Sequence, residues 1–122
     1  MSDEFLRIAR QEIGAELKKM EDIMARSKDD RQIFENSTAI KSCLHKIKGL
    51  APMAGEEEIG EIARTGDAIL RHIIETGKQV GSLKIMERAI DDMKNIFHGL
   101  SEYTASDFKK TAKSTFPHIA GL

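Results

Sequence analysis

His45 stands between two lysines at a spacing that could support phosphoryl chemistry. Lys41 precedes His45 by four residues and Lys48 follows it by three. On a helix, which turns about 100° per residue, both lysines lie within about 60° of the imidazole and share its face. An imidazole nitrogen is a nucleophile, and two ammonium groups beside it can attract a phosphoryl group and neutralise its oxygens. Phosphoryl transfer at His45 is therefore one interpretation of this spacing.

His45 could also be a core residue or a surface residue without a role. The apolar residues of this segment cluster on the other side of the helix, beyond about 120° from His45. They are Ile33, Ile40, Cys43, Ile47 and Ala51. A core position is therefore not expected, whereas a solvated surface histidine stays open as the alternative.

A metal site is not expected at any of the four histidines. Di-iron bundles use Glu-x-x-His pairs that face inward, but no carboxylate stands three residues before a histidine here. Those positions hold Ser42, Ile69, Asn95 and Thr115. The sequence also has no CxxC or HExxH pattern, no glycine-rich Walker loop and no GxSxG. The chain is therefore expected to bring no metal, no cofactor and no ATP site of its own.

Gly49, one turn beyond His45, offers no side chain that would keep a partner away. A glycine inside an exposed helix costs about 1 kcal/mol relative to alanine, so its presence invites a reason. We expect a bulky partner to approach the helix closely at this position. The alternative is that Gly49 only precedes the helix end, since Pro52 follows three residues later and should kink or end the helix.

Four amphipathic segments must position these residues. Apolar residues recur every three to four positions in residues 3–27, 29–51, 56–77 and 82–100, which predicts helices and no strands. Helices of this length with short connections favour an up-down arrangement. The expected fold is therefore all-α, an antiparallel up-down four-helix bundle over residues 1–103.

Two of the helices begin at residues that can act as caps. Asp29 can cap the second helix, with Gln32 three residues on, and Ser82 is expected to cap the fourth.

The C-terminal segment is less regular. Residues 104–122 are expected to be a tail or a linker. Thr104 and Ser106 are both good N-caps, so a short helix over roughly 105–114 is the alternative.

The composition narrows the classes of function. The 122-residue chain carries 19 basic and 20 acidic residues and a net charge of −1, so a general electrostatic grip on nucleic acid or on an anionic membrane is not expected. No apolar run approaches the ~18 residues that a membrane span needs. Cys43 is the only cysteine, which fits a reducing compartment. These features predict a cytoplasmic protein.

The segment HKIKGLAPMAG resembles the motif of histidine phosphotransfer (HPt) domains. That motif is a histidine, any residue, an aliphatic residue, a lysine and a glycine, with a second glycine ten residues after the histidine. The matching residues are His45, Ile47, Lys48, Gly49 and Gly55. In the family, the motif lies on the second helix of a four-helix bundle, which is also its place in the predicted helices here.

A closer likeness is to the N-terminal phosphotransfer domain of CheA-type chemotaxis histidine kinases. In that domain a carboxylate on the third helix contacts the phosphorylated histidine, and the corresponding position here is Asp67. The family usually has glutamate there, so Asp67 has a shorter reach. Asp67 could instead be a solvated residue paired with Arg64 or Arg71, three residues before it and four after it.

The resemblance implies a phosphocarrier in a two-component phosphorelay. His45 would accept the phosphoryl group from a response-regulator receiver domain or a histidine kinase core, and would then donate it. Lys48, helped by Lys41, would hold the phosphoryl oxygens, while Asp67 would orient the ring. Mg²⁺ would come from the partner domain. Partner contacts are expected at Gly49, Leu50, Lys46 and Pro52.

Two other interpretations stay open. The chain could be a non-catalytic helical adaptor, an HPt-like bundle whose exposed face binds another helix. It could equally be the phosphoacceptor domain of a larger histidine kinase. An enzyme with its own turnover would need an acid–base or metal constellation, and the sequence offers none.

Overall fold

The computed structural model describes residues 2–122, so Met1, with which the predicted bundle begins, lies outside the described residues. The described chain is all-α and forms six helices without a strand, which confirms the predicted fold class at that level. The helices are α1 Asp3–Ala25, α2 Asp30–Glu35, α3 Ser37–Leu50, α4 Glu57–Thr76, α5 Ser82–Phe97 and α6 Ala105–Thr115. None of these helices is both long and apolar enough to span a membrane.

The core is aliphatic and is shared by all six helices. Helix α1 packs against α3 and α5, and α4 packs against α3, α5 and α6. On α1, Ile13, Leu17 and Met20 recur at helical spacing and are all buried. They form the apolar stripe of this helix, the α1 stripe. Ser2 caps the helix by accepting a hydrogen bond from the Phe5 backbone amide.

The second predicted helix is divided into α2 and α3 at Asn36. Asp29 caps α2 as expected, since its carboxylate accepts a hydrogen bond from the Gln32 amide at 2.8 Å. At the break, the Asn36 amide group donates to the Ser27 hydroxyl at 2.9 Å, and the Ser37 hydroxyl donates to the Phe34 carbonyl at 2.7 Å. Such side-chain bonds compete with the helical ladder, which explains the interruption. The motif residues His45 to Gly49 lie on α3, which ends at Leu50, whereas Pro52 and Gly55 lie in the turn that follows.

Helix α5 begins differently from the sequence prediction. Ser82 was expected as its N-cap, but Ser82 is the first helical residue and Gly81, with a φ of 94°, precedes it. The free amides at this end are satisfied by Asp30 of α2, which accepts from Gly81 at 3.0 Å and from Leu83 at 2.8 Å. Burial by itself raises the pKa of Asp30, but the hydrogen bonds from Leu83, Gly81 and Ser82 outweigh it and hold that pKa below its usual range.

The C-terminal segment forms a helix instead of an extended linker. Thr104 caps α6 by accepting a hydrogen bond from the Asp107 amide at 3.1 Å. Phe108 and Phe116 are buried, and the helix packs against α4 and α5. The Ala105 amide also donates to a carboxylate oxygen of Glu58 at 2.9 Å. Residues 104–122 therefore complete the same core as the four longer helices.

Truncating Phe108 tests the contribution of this helix to the core. Phe108→Ala removes a side chain with no exposed surface and should lower the free energy of unfolding by about 3–5 kcal/mol. Urea unfolding followed by circular dichroism measures the change. Lys110→Ala, an exposed position on the same helix, is the matched control and should change it by less than about 0.5 kcal/mol. Equal stabilities of the two variants would show that α6 adds nothing to the core.

Candidate functional site

His45 is exposed near the middle of α3. Its neighbours Leu44 and Ile47 point the other way and have no exposed surface. The helix therefore places the imidazole on its outer face, because the inner face is filled by the aliphatic core. The position leaves the ring nitrogens open to a partner molecule.

Asp67 of α4 is the centre of a charged cluster beside His45. Its side chain is only 2% exposed. Lys48 Nζ donates a hydrogen bond to Oδ2 at 3.1 Å, and Lys41 Nζ lies 3.3 Å from Oδ1 in an ion pair without hydrogen-bond alignment. Arg71, one turn along α4, lies 3.5 Å from Oδ2. One carboxylate thus holds two lysines that stand two helical turns apart on α3.

Two glycines bring α4 close enough to α3 for this contact. A Cβ on Gly66 would lie 3.1 Å from a methyl carbon of Leu44. A Cβ on Gly60 would lie 3.0 Å from the Cβ of Ala51. Since side chains at these positions would push the helices apart, the glycines allow Asp67 to reach the α3 lysines despite its short side chain.

The lysines keep Asp67 ionised. Burial is the largest influence and by itself raises the pKa of Asp67, since a charged carboxylate loses hydration there. The hydrogen bond from Lys48 and the positive charges of Lys48 and Lys41 outweigh burial and hold the pKa below its usual range. The cluster of Lys41, Lys48 and Arg71 still carries more positive than negative charge, because it contains a single carboxylate.

The predicted contact between His45 and Asp67 is not made. In the part of the chain that the structure describes, no hydrogen bond joins the imidazole to this carboxylate. Of the two arginines suggested as partners for Asp67, Arg71 contacts it, whereas Arg64 lies 3.8 Å from Glu61. Asp67 is therefore neither solvated nor bonded to the ring.

A groove lies on the opposite side of His45, between α1 and α3. We call it the α1–α3 groove; its volume is about 510 Å³, and its lining residues are Glu12, Ala15, Glu16, His45, Lys46, Gly49 and Leu50. Three of the four predicted docking residues, Lys46, Gly49 and Leu50, line it, whereas Pro52 is exposed beyond it. Apart from its chain neighbours and the nearby backbone of α3, no described atom lies within 4 Å of a Cβ placed on Gly49. The groove is therefore open where a close approach was expected.

The two glutamates of this groove, Glu12 and Glu16, were not predicted from the sequence. Glu16 is 7% exposed and lies among the apolar residues of the α1 stripe, between Ile13 and Leu17. A carboxylate inside an apolar stripe was the available signal. Glu16 also acts on Cys43, since burial first and then the charge of Glu16 raise the pKa of that thiol to about 11.

None of the remaining histidines lines the α1–α3 groove. His72 and His118 pack edge to face with ring centroids 5.4 Å apart, and His98 is exposed after α5. Across residues 2–122, no group of three or more His, Cys, Asp or Glu side chains is arranged to hold a metal ion.

Comparisons of the chain with protein-family models, with curated proteins and with solved structures give no match in any of the three.

The charged cluster predicts a pH-dependent contribution to stability. Asp67→Asn should lower the free energy of unfolding by about 2 kcal/mol at pH 7, less than for a fully buried pair because both lysines can turn to solvent. The pKa of Asp67 is lowered by folding, so its contribution is present above the unfolded pKa of about 4 and is lost as pH falls through the folded pKa.

Urea unfolding at several pH values between about 7 and 2.5 measures this contribution. The difference between the wild-type chain and Asp67→Asn should shrink as pH falls. Asp22→Asn, which removes an exposed carboxylate 3.4 Å from Lys18, is the control and should differ little from wild type at any pH. If the difference in unfolding free energy between the wild-type chain and Asp67→Asn did not vary with pH, the pH-dependent contribution could not be assigned to Asp67.

Proposed function

We propose that this chain is a histidine phosphocarrier of a two-component phosphorelay, with His45 as the phosphoacceptor. The observation that carries the proposal is the exposure of His45 on the outer face of α3 between two paired lysines, with an open surface at Gly49. The HPt-like motif from His45 to Gly55 supports the same assignment. Together they combine a nucleophile, a source of positive charge and an approach route.

The helix arrangement also supports an HPt-like four-helix bundle. Helices α1, α3, α4 and α5 form a closed series of neighbours, since α1 packs on α3 and α5, and α4 packs on the same two helices. We assign these four helices to the bundle. Helix α2 then corresponds to an interrupted first part of the second helix, and α6 is an additional helix that packs on α4 and α5 and shares their core.

The proposed transfer is an in-line displacement at phosphorus. The lone pair of His45 Nε2 forms the N–P bond while the P–O bond to the donor breaks. The leaving group keeps that electron pair; it is the aspartate carboxylate of a receiver domain, or ADP when a kinase core is the donor. The Nδ1 proton stays on the ring. Donation to a second receiver carboxylate reverses these bonds. Mg²⁺ would be bound by the partner domain.

Lys48 and Lys41 are assigned to the phosphoryl oxygens. Their side chains are 30% and 29% exposed, so each ammonium group can turn from Asp67 toward a phosphoryl group on His45. Asp67 would orient the ring by accepting a hydrogen bond from Nδ1–H. Its Oδ1 accepts no hydrogen bond among the described residues and so keeps capacity for that contact.

Phosphoryl acceptance by His45 is the decisive test. The chain is mixed with phosphorylated receiver domains and, separately, with kinase cores and ATP, and acid-labile, base-stable phosphate is followed by intact mass. We expect one phosphoryl group on the wild-type chain and none on His45→Gln. His98→Gln, which changes another exposed histidine, should be labelled normally. Circular dichroism checks that each variant keeps its helices.

The adaptor interpretation gives the opposite result. A non-catalytic HPt-like bundle would remain unlabelled with every donor although it is folded. Label that persists in His45→Gln would also contradict the proposal, because the phosphoryl group would then reside elsewhere.

Lysine substitution tests the proposed charge neutralisation. Lys48→Ala should slow phosphoryl acceptance on the order of tenfold to a hundredfold, because it removes a cation from the transferring group. Single-turnover labelling measures the rate. Lys84→Ala, an exposed lysine on α5, is the control and should react at the wild-type rate. A Lys48→Ala rate equal to that of the control would remove Lys48 from the mechanism.

A further inference from the structure

Glu16 holds a buried carboxylate oxygen that has no partner. Its side chain is 9% exposed, and Oε2 pairs with Lys19 Nζ at 3.2 Å. Oε1 has no hydrogen-bond partner among the described residues, although it is shielded from solvent. A buried acceptor left unsatisfied destabilises the fold, and more so when it is charged. Glu16 lines the α1–α3 groove and also the neighbouring groove that contains Lys19 and Cys43, and a donor that enters from the α1–α3 side would satisfy Oε1.

The chain itself supplies no strong donor to Oε1. Cys43 lies beside Glu16, but a thiol is a weak hydrogen-bond donor. Lys46 lines the groove and is exposed, yet it makes no ion pair within residues 2–122. Glu12 adds a second carboxylate to the same groove and has no ion pair within the described residues either. The α1 side of the groove is therefore acidic, and neither Glu16 Oε1 nor the Glu12 carboxylate has a partner among the described residues.

An apolar notch continues the groove toward the start of α1. Its lining residues are Phe5, Ile8, Ala9, Glu12, Leu50 and Met53, and it shares Glu12 and Leu50 with the α1–α3 groove. Phe5 and Ile8 are 49% and 44% exposed. The α1 residues of the groove lie about six positions beyond those of the notch, which corresponds to about 9 Å along the helix. One surface thus offers an apolar end and an acidic end at a fixed separation.

We propose that the α1–α3 groove binds a basic side chain, best an arginine, from a partner helix whose apolar side chain fills the notch about two turns away. A guanidinium group can donate to Glu16 Oε1 and to Glu12 together, since it has several donors in one plane. Gly49 and Ala15 leave room for the stem of that side chain. Such a helix would lie against His45 on its α1 side, so its part in phosphoryl transfer rests on the proposed function, whereas its binding does not.

The test uses a defined peptide as the probe. It is an alanine-based peptide amide with one leucine and, seven residues later, one arginine. Titration into the ¹⁵N-labelled full chain is followed by the backbone amide shifts of Ala15, Gly49 and Leu50. We expect saturable shifts at these residues. A peptide with glutamine in place of arginine, and one with alanine in place of leucine, should each bind about tenfold more weakly.

Variants of the chain assign the binding to the carboxylates. Glu16→Gln should weaken the arginine peptide about tenfold and leave the glutamine peptide unchanged. Glu12→Gln, at an exposed position, should weaken it in the same direction and serves if Glu16→Gln does not fold. Glu21→Gln is the matched control. Glu21 lies on α1 outside the groove and pairs with Lys94 of α5, so this variant should bind the peptide like the wild-type chain.

Three results would overturn the proposal. They are the absence of saturable shifts, equal binding of the arginine and glutamine peptides, and undiminished binding by folded variants of both glutamates. The peptide titration separates this proposal from the proposed function, because it contains no phosphoryl donor. A chain that accepts no phosphoryl group can still bind the peptide, and a phosphocarrier can still fail to bind it.

Discussion

The ion pairing of Asp67 with Lys41 and Lys48 fixes how α4 lies on α3, and the surroundings of His45 depend on it. A carboxylate this deeply buried is stable only while both lysines remain within reach, so the two helices cannot slide along each other without exposing an unpaired charge. The glycines of α4 make the contact possible by allowing close packing against α3. The imidazole is thereby held between a basic cluster on one side and the acidic α1–α3 groove on the other.

The helices themselves could be predicted because their signals are local. Apolar periodicity, the Asp29 cap and the stop at Pro52 each act within one or two turns of the chain, and the structure agrees with them. The division between α2 and α3 could not be predicted, since it depends on a hydrogen bond from Asn36 to Ser27 in the preceding connection. The packing of α6 could not be predicted either, because the burial of its apolar residues depends on where α4 and α5 lie.

The same distinction holds for the site. Features carried by one helix could be predicted from the sequence, whereas contacts between helices could not. His45, Lys41 and Lys48 lie on one helix, so their shared face follows from helical geometry alone. The partner of each lysine depends on the rotation and depth of α4, which one sequence does not specify. Glu16 shows the limit most clearly, since its place in the α1 stripe indicates burial, whereas the groove beside it requires the relative position of two helices.

The capping of α5 by Asp30 links two parts of the chain that are more than fifty residues apart. Because the amides of Gly81 and Leu83 donate to a side chain of α2, fraying of the first turn of α5 must break both hydrogen bonds to Asp30. The hydrogen exchange of these amides therefore depends on α2 as well as on α5. The six-residue helix α2 thus also restrains the opening of the first turn of α5.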